Sequence, residues 1–313
     1  MEWWHLLGVV LISEDKQVKV SDAMQAAHTI DTRGIELNEG ELGDVPWWSF
    51  TKLVIATAAL RLVELGRIEL DEPAPGDGYT LRQLLQHEAG LPDYGQLKDY
   101  HAAVARGDRA WPPEEIISRT LRTHRPCPPG SRWAYSNIGY FYVGQIISAA
   151  SGANLADTLL SLALGPAGSR TVRLARSRSD LESVQMGSVQ GYDPQWVLHG
   201  LLVGPIAEAA TFLHRLLSGG ILGERMLTEM LTGRLLLQFQ NELWEQPAYG
   251  LGVMGACDVG VSPCGHTGGG PGSSIAVYGC RREERVKVAA FWRSSASSNE
   301  VEAAALKALS RLR

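Results

Sequence analysis

Apolar residues dominate one segment of the chain, from Leu53 to Leu65. Ten of these thirteen side chains are apolar, and they cover every face that a helix would present. A helix that is apolar all round is typical of the interior of a large protein. Gly66 follows, and glycine adopts at little cost the left-handed conformation that ends many helices. The pattern therefore predicts a buried helix that begins near Ser49 and ends at Gly66.

Runs of apolar and β-branched residues predict strands towards both ends of the chain, at residues 5–12, 18–20, 250–254, 273–278 and 286–292. A period near 3.6 predicts helices at residues 81–87, 100–105, 114–122, 138–150, 207–217, 224–231 and 299–312. Residues 200–204 are interpreted as a tight apolar turn, and 265–272 as a glycine-dense stretch. Residues 155–200 give no clear pattern. Strands at both ends thus enclose a helical middle.

Length and charge narrow the class of protein. The chain has 313 residues and a net charge of -5, with 45% hydrophobic and 20% charged residues. These values suit one large globular domain or two entwined ones. The acidic balance argues against a nucleic-acid partner, which requires a basic face. No stretch is long enough to span a bilayer.

The apolar run at residues 6–12 is the one segment that resembles a signal peptide. It lacks basic residues before it and a small-residue cleavage site after it, so a buried strand is the better interpretation. We therefore expect a cytoplasmic protein, unless a leader was trimmed, with its four cysteines reduced. Cys257, Cys264 and His266 match no common zinc spacing and lack a fourth ligand. We expect no metal and no other cofactor.

Candidate chemistry begins with Ser49 and Lys52, at the entrance of the apolar helix. Residues three apart share one face of a helix, so the amine of Lys52 is expected beside the hydroxyl of Ser49. A lysine can take the serine proton if desolvation or a nearby cation lowers its pKa. The alternative is an N-cap serine followed by a surface lysine, since this spacing often occurs by chance.

Tyr135 and Asn137 are expected on a loop just before the helix at 138–150. A tyrosine hydroxyl there could carry a proton, and an asparagine amide could hold a substrate amide or the lysine. The alternative for Tyr135 is a packed ring with its hydroxyl in water. His87 is a further candidate base, but a structural role in fixing its loop is favoured, because nothing near it in sequence needs a base.

The glycines around His266 have three interpretations: a plain loop, a phosphate cradle, or a close approach of backbone N–H groups to a ligand oxygen. The phosphate interpretation is weakened because no Gly-Lys-Ser/Thr follows. Glycine permits the close approach that the third interpretation requires, and this one is preferred.

Three motifs stand in a fixed order: Ser49-x-x-Lys52, Tyr135-x-Asn137 and His266-Thr267-Gly268. In this order and separation they resemble the penicillin-recognising serine hydrolases, namely class C β-lactamases, DD-peptidases, D-aminopeptidases and related carboxylesterases. The segments 84–92, 129–140, 200–204, 219–220 and 249–252 are also similar to that family. The resemblance runs from about residue 45 to the end.

The resemblance implies an α+β fold of the β-lactamase/transpeptidase-like class. An antiparallel sheet would be flanked by helices, among them the terminal helix and the serine helix. Residues 1–70 and 221–313 would form the discontinuous sheet domain, and residues 71–220 an inserted, mostly helical domain. The active site would lie in the cleft between the two.

It also implies roles for the motif residues. Ser49 would attack an ester, amide or lactam carbonyl, Lys52 and Tyr135 would share the proton transfer, and Asn137 would hold Lys52 and the substrate. Water would then release the acyl group.

The third motif would contribute to the substrate side of the site. Backbone N–H groups of Ser49 and Gly269 would form an oxyanion hole, with Gly268 next to them. His266 and Thr267 would line the substrate side.

Two departures from the family matter. His266 stands where β-lactamases commonly carry a lysine, so a cation for a β-lactam carboxylate is less assured and peptidase- or esterase-like members are favoured. The helix that usually opens these proteins is not found, so the terminal helix would lack its usual partner and a homo-oligomer would cover that surface.

The favoured function is hydrolysis of a small ester or amide through acyl-Ser49, as in a carboxylesterase or a peptidase-like enzyme. The alternatives are a β-lactamase or DD-peptidase-type penicillin-binding enzyme, an acyltransferase, and an acylated binding protein without turnover. A membrane-surface protein has support only from the tryptophans Trp3, Trp4, Trp47 and Trp48. Activity is expected to rise from acidic to mildly alkaline pH, because the base must be unprotonated.

Overall fold

The computed structural model describes residues 24–40, 43–73, 78–255 and 262–312. The strands predicted at residues 5–12 and 18–20 lie outside this part of the chain, as do Trp3, Trp4 and Cys257.

A large antiparallel sheet has the strand order β2-β1-β11-β10-β9-β8-β7-β6 within the described ranges. Its strands are β1 Gln25–Ile30, β2 Glu36–Glu39, β6 Arg234–Leu235, β7 Ala248–Tyr249, β8 Met254–Gly255, β9 Cys264–Gly270, β10 Ser273–Arg282 and β11 Arg285–Ser294. β1 pairs with β11, with His28 opposite Ala290. The early part of the chain therefore completes a sheet that the late part builds, and the predicted α+β fold class is confirmed.

The helices lie mainly between these strands in sequence. They are α1 Thr51–Glu64, α2 Leu81–Leu85, α3 Lys98–Ala105, α4 Pro113–Thr123, α5 Asn137–Ser151, α6 Leu155–Leu159, α7 Gly165–Ala167, α8 Ile206–Leu217, α9 Glu224–Leu231 and α10 Ser298–Arg311. A capping box between Thr80 and Gln83 starts α2. Gly66 has φ +64°, the left-handed conformation predicted after the serine helix. The sequence pattern predicted the other helices but not α6 and α7, which lie in the segment 155–200 that gave no clear pattern.

Two helices cover opposite faces of the large sheet. Along β10, Ile275 and Val277 join the core that contains Phe212 of α8, whereas Ala276 and Tyr278 join the core of α10. This alternation follows from the two-residue period of a strand. The helix opposite α10 is thus α8, whereas we expected the serine helix there; α1 packs chiefly on α5 and the turn that follows α6.

The division into a sheet domain, 1–70 plus 221–313, and a helical domain, 71–220, stays a prediction. Because α8 packs on β1, β10 and β11, we propose that the boundary lies near Pro205. The reason is the amphipathic pattern of α8: its buried side chains form one face, and this face lies against the sheet.

Three predicted turns or strands differ in the structure. Residues 201–204 form a strand, β5 Leu201–Gly204, between β3 Val45–Pro46 and β4 Arg173–Ala175. Residues 250–253 form a tight turn between β7 and β8, in which the Gly250 N–H donates to the Val253 carbonyl at 2.8 Å. The glycine-dense stretch is largely strand β9, because β10 supplies a full antiparallel partner. Pairing between strands decided each case, over a long separation for β5 and between neighbouring strands for the other two, and local composition does not report it.

Candidate active site

Ser49 lies in a 3-10 turn, Trp48–Phe50, that leads directly into α1. The turn is held from both sides by β5, since the Trp47 N–H donates to the Leu202 carbonyl at 2.8 Å and the Leu202 N–H donates to the Thr51 hydroxyl at 3.2 Å. Trp48 has φ +41°, which is strained for a bulky residue. Strain of this kind persists where the surroundings hold it, and it is common at functional sites.

The first two motifs meet at the hydroxyl of Ser49. Its Oγ lies 2.9 Å from Nζ of Lys52 and 3.0 Å from the hydroxyl of Tyr135. All three side chains are buried. The predicted neighbourhood of serine and lysine on one helical face is therefore present, and the alternative of a surface lysine does not describe this chain.

Lys52 is completely buried, with 0% of its surface exposed. Its Nζ donates to Oδ1 of Asn137 at 2.7 Å and lies 3.2 Å from Nε2 of His199. Burial lowers the pKa of Lys52 well below its ordinary value, while the charge of Asp93 acts in the opposite direction. A lysine in these surroundings can lose its proton and act as a base.

Asp93 sets the orientation of Asn137. Its carboxylate accepts the Asn137 backbone N–H at 2.7 Å and the side-chain Nδ2 at 3.2 Å. The amide oxygen of Asn137 therefore turns towards Lys52. Burial raises the pKa of Asp93, and the hydrogen bonds from Asn137 and the charge of Lys52 oppose that rise.

The sequence analysis missed both Asp93 and His199. Asp93 follows Pro92 directly, and the available signal was that an aspartate side chain can cap the next turn. In the structure its carboxylate accepts the Gly95 N–H at 3.1 Å. His199 lies at the end of the segment that gave no clear pattern. Its only signal was a polar residue between Leu198 and Gly200 in an apolar run.

Tyr135 is held by a buried histidine beneath it. The ring centroids of His87 and Tyr135 lie 4.3 Å apart, and Nδ1 of His87 accepts the Ser136 backbone N–H at 3.1 Å. This contact agrees with the favoured structural role of His87 in fixing its loop. Burial raises the pKa of Tyr135 well above its ordinary value, so its hydroxyl keeps its proton. Asn137, placed on a loop by the sequence pattern, is the first residue of α5.

His266 and Thr267 are fully buried and do not line the cavity beside Ser49, so their place on the substrate side stays a prediction. Nε2 of His266 accepts the Tyr249 hydroxyl at 3.1 Å, and its Nδ1 donates to the Thr267 carbonyl. Burial lowers the pKa of His266 to about 3, so the ring is neutral. The Thr267 hydroxyl donates to the sulfur of Met254 at 3.5 Å. Alternating side chains of β9 enter the interior because the strand is covered on both faces.

The glycines of the third motif do approach the serine. A methyl group placed on Gly268 would lie 2.7 Å from the backbone nitrogen of Ser49 and 2.8 Å from the Trp47 carbonyl oxygen. Only glycine allows this contact. Gly269 and Gly270 line the adjoining cavity, where the ring of Trp48 packs against Gly270.

A narrow cavity of about 40 Å³ adjoins Ser49. The residues that line it are mostly aromatic or uncharged: Trp48, Ser49, Tyr94, Gly95, Tyr100, Asn137, Tyr192, Val197, His199, Gly269, Gly270 and Pro271. None of these described lining residues is lysine or arginine. Trp48 thus lines the site as expected, whereas Trp47 is fully buried against Phe50.

No group of three or more His, Cys, Asp or Glu residues within 24–40, 43–73, 78–255 and 262–312 is placed to hold a metal ion. In the same ranges no single helix is long and apolar enough to cross a membrane. The bent pair Asn137–Ser151 and Leu155–Ala167 together has the length and the apolar composition of a membrane span.

A family model described as Beta-lactamase matches residues 43–311. Penicillin-binding protein 4* of Bacillus subtilis is 29% identical over 189 residues, which cover 56% of this chain and 40% of that protein. A D-aminopeptidase of Cereibacter sphaeroides is 35% identical over 99 residues, covering 30% of this chain and 18% of the enzyme. The matched parts thus span less than half the length of these relatives.

Solved structures share the fold over most of the chain. A D-stereospecific amidohydrolase from Streptomyces sp. has a TM-score of 0.70 at 26% identity, covering 85% of this chain and 88% of that one. The D-amino acid amidase from Ochrobactrum anthropi SV3, complexed with D-phenylalanine, has a TM-score of 0.73 at 21% identity, covering 93% and 95%. An octameric penicillin-binding protein homologue from Pyrococcus abyssi has a TM-score of 0.73 at 21% identity, covering 91% and 73%.

Proposed function

Because this chain belongs to the family described as Beta-lactamase, we propose that it is a serine hydrolase that cleaves a small ester or amide through an acyl-Ser49 intermediate. The observation that carries the proposal is the position of the Ser49 hydroxyl, 2.9 Å from the Lys52 amine and 3.0 Å from the Tyr135 hydroxyl. A serine hydroxyl is a weak nucleophile until a base within hydrogen-bond reach takes its proton. Lys52 is that base.

Acylation begins with neutral Lys52. Tyr135 keeps its proton and donates it in a hydrogen bond to Oγ of Ser49, so the hydroxyl proton of Ser49 points to the lone pair of Lys52. Oγ attacks the substrate carbonyl carbon while its proton passes to Nζ. The Oγ–C bond forms, the carbonyl oxygen becomes negative, and Lys52 becomes an ammonium.

The leaving group then departs with a proton. Tyr135 gives its proton to the leaving nitrogen or oxygen, and the Lys52 ammonium returns a proton to Tyr135, leaving the lysine neutral again. In deacylation a water molecule replaces the leaving group: it loses a proton to the same pair, its oxygen bonds to the acyl carbon, and Oγ of Ser49 is reprotonated. The sum is hydrolysis with no net change in the enzyme.

The negative oxygen requires donors aimed at it, and preorganised backbone N–H groups contribute strongly to such reactions. We assign this role to the N–H groups of Ser49 and Gly269. Two observations support the assignment: β9 approaches the Ser49 turn so closely that Gly268 tolerates no side chain, and Gly269 lines the cavity beside Ser49.

The cavity suggests the substrate class. The cavity volume is about 40 Å³, and none of its described lining residues is lysine or arginine. We therefore expect an acyl part that is small and carries no carboxylate. Two relatives are named for D-amino acid substrates, so amides and esters of D-alanine are the first candidates, with D-phenylalanine derivatives poorer.

The test is turnover of D-alanine p-nitroanilide, p-nitrophenyl acetate and benzylpenicillin by the wild type and by Ser49→Ala. We expect turnover of one of the first two and its loss, by at least about a thousandfold, in Ser49→Ala. Circular dichroism checks that the variant is folded. Turnover retained by folded Ser49→Ala would refute the assignment of the nucleophile.

A penicillin-binding enzyme of the β-lactamase or DD-peptidase type is the second candidate, supported by the 29% identity to Penicillin-binding protein 4*. It is less favoured because neutral His266 offers no cation for the β-lactam carboxylate. A persistent adduct with benzylpenicillin would support it. Acyl transfer to an added amine, or an adduct that never turns over, would instead reveal an acyltransferase or a binding protein.

A homo-oligomer and a cytoplasmic location stay predictions. The homologue described as octameric offers a precedent for the first. Sedimentation of the purified chain measures it directly.

A further inference from the structure

We propose that His199 is a positioning residue that holds the Lys52 amine with its lone pair directed at Ser49. The inference rests on the proposed function, in which Lys52 is the base. Nε2 of His199 lies 3.2 Å from Nζ of Lys52, and both side chains are buried. The contact joins residues 147 positions apart, so the fold and not the local chain brings them together.

The valence of a neutral amine makes two acceptors necessary. Its nitrogen carries two hydrogens and one lone pair in a tetrahedral arrangement. Asn137 Oδ1, at 2.7 Å, accepts one hydrogen, and His199 Nε2 accepts the other. The third direction then belongs to the lone pair and points to Ser49 Oγ, at 2.9 Å. Without His199 one N–H would be free to rotate towards Ser49 and block the transfer of its proton.

This role fixes the state of the imidazole. Nε2 accepts only if the ring is neutral and carries its proton on Nδ1. Burial lowers the pKa of His199 well below its ordinary value, while a backbone hydrogen bond with Trp48 acts in the opposite direction. The ring is therefore neutral at pH 7.

One short segment supports both acceptors. Asp93 turns the amide of Asn137 towards Lys52, as described above. The next residue, Tyr94, donates its hydroxyl proton to the Trp196 carbonyl at 2.8 Å and accepts the Leu198 N–H at 3.2 Å. Its hydroxyl thereby fixes the backbone immediately before His199. Adjacent side chains thus hold the two groups that orient the base.

The first test reads the histidine itself and requires no substrate. Two-bond ¹⁵N–¹H correlation spectra of the imidazoles distinguish the tautomers, and the missing signal in His199→Gln identifies His199. We expect neutral His199 with its proton on Nδ1 at pH 7. A proton on Nε2, the form usually preferred by free imidazole, or a protonated ring would overturn the proposal.

The second test measures how quickly a fluorophosphonate labels Ser49 as a function of pH. His199→Leu removes the acceptor, whereas His199→Gln places an amide oxygen near the position of Nε2. We expect labelling by His199→Leu to fall by about tenfold to a hundredfold, and labelling by His199→Gln to stay within about fivefold of the wild type.

The pH profile separates positioning from mere packing. The described titratable groups that face Lys52 and His199 are Asp93, His87, His266, Tyr135 and Tyr140. An ammonium needs its acceptors more than an amine does, so His199→Leu should lower the pKa of Lys52 and move the acidic limb to lower pH. His199→Gln should leave the limb in place. Equal losses in both variants, with an unmoved limb, would show a structural role and overturn the proposal.

Failure of the proposed function has a different signature. If wild-type Ser49 is not labelled more quickly than the serines of Ser49→Ala, Lys52 is not activating it and the hydrolase assignment fails. The tautomer of His199 still tests the geometric claim in that case. It also tests the claim in the case that His199→Leu does not fold.

Discussion

Two buried ionisable side chains on different helices can be compared: Lys52 on α1 and Glu302 on α10. The exposed fraction is 0% for Lys52 and 1% for Glu302. Burial shifts each pKa towards the neutral form, downwards for the lysine and upwards, to about 7, for the glutamate. By the pKa criterion alone, both would be candidates for catalysis.

Their surroundings differ in what they leave open. Glu302 accepts the indole N–H of Trp244 at 3.1 Å and the hydroxyl of Tyr278 at 2.5 Å, and these rings enclose it. Lys52 has a nucleophile, Ser49, at 2.9 Å and a cavity beyond it. A shifted pKa therefore marks a buried group, whereas a nucleophile and room for a substrate mark a site.

The largest effect is expected for Lys52→Met, which shortens the side chain by one atom and removes the base. Turnover should fall by about a thousandfold or more, within the upper range for removal of a general base. The fold should persist, because a buried amine is replaced by an apolar group of similar volume. Initial rates and urea unfolding measure the two quantities.

Glu302→Gln is the matched control on α10. Its turnover should stay within about twofold of the wild type, since Glu302 does not line the cavity beside Ser49. Loss of activity in Glu302→Gln comparable to that in Lys52→Met would abolish the distinction between the two regions.

The difference in stability between the wild type and Glu302→Gln should depend on pH. The folded pKa of Glu302, about 7, lies above its ordinary value of 4.5, so the stability of the wild type is fully present below pH 4.5 and decreases as the pH rises through 7. The decrease amounts to roughly 3 kcal/mol, at about 1.4 kcal/mol per pH unit. Glutamine does not titrate, so the variant should gain relative stability between pH 5 and 8. Urea unfolding at pH 5 and at pH 8 measures the difference in stability between the variant and the wild type. An equal difference at the two pH values would contradict this prediction.

A smaller loss than that of Lys52→Met is expected for Asp93→Asn, which keeps the shape of the group that orients Asn137. The charge of Asp93 raises the pKa of Lys52, so its removal should lower that pKa and move the acidic limb of the rate profile to lower pH. Turnover at the plateau should fall by about tenfold, because one support of the base is weakened. An unmoved limb would mean that Asp93 is neutral in the wild type.

The same pKa shifts specify the profile of the wild type. Activity should rise from acidic pH and level off below the ordinary pKa of lysine, because burial lowers the pKa of Lys52. No alkaline decline should come from Tyr135, whose pKa is raised well above 10.0. Initial rates from acidic to mildly alkaline pH measure this, and a flat profile would contradict Lys52 as the base.

The sequence located the parts of the site that are defined locally. Ser49 and Lys52 are three residues apart, in the turn that enters α1 and in α1 itself, and Tyr135 and Asn137 flank Ser136, the N-cap of α5. These pairs keep their mutual geometry whatever the rest of the chain does. Their convergence on one hydroxyl depends on the fold. The sequence indicated this convergence only because the order of the motifs resembles that of a family.

The remaining parts depend on contacts between distant segments. Asp93 and His199 lie 44 and 147 residues from the groups they orient, in stretches without a recognisable motif. His266 carried a motif, yet its direction depends on how β9 is covered on both faces. Composition suggested a turn at 201–204, whereas pairing with β3 and β4 made a strand. Sequence periodicity reports local preference and is silent about such partners.

The most direct measurement of the central claim is the intact mass of the protein at short times after mixing with p-nitrophenyl acetate and quenching in acid, followed by peptide mapping. For wild type we predict one acetyl group on Ser49 that disappears as the substrate is exhausted, and no adduct in Ser49→Ala. Lys52→Met should acquire it about a thousandfold more slowly. An acetyl group on another residue, or equal acetylation of Ser49 in wild type and Lys52→Met, would contradict a serine nucleophile activated by a buried lysine.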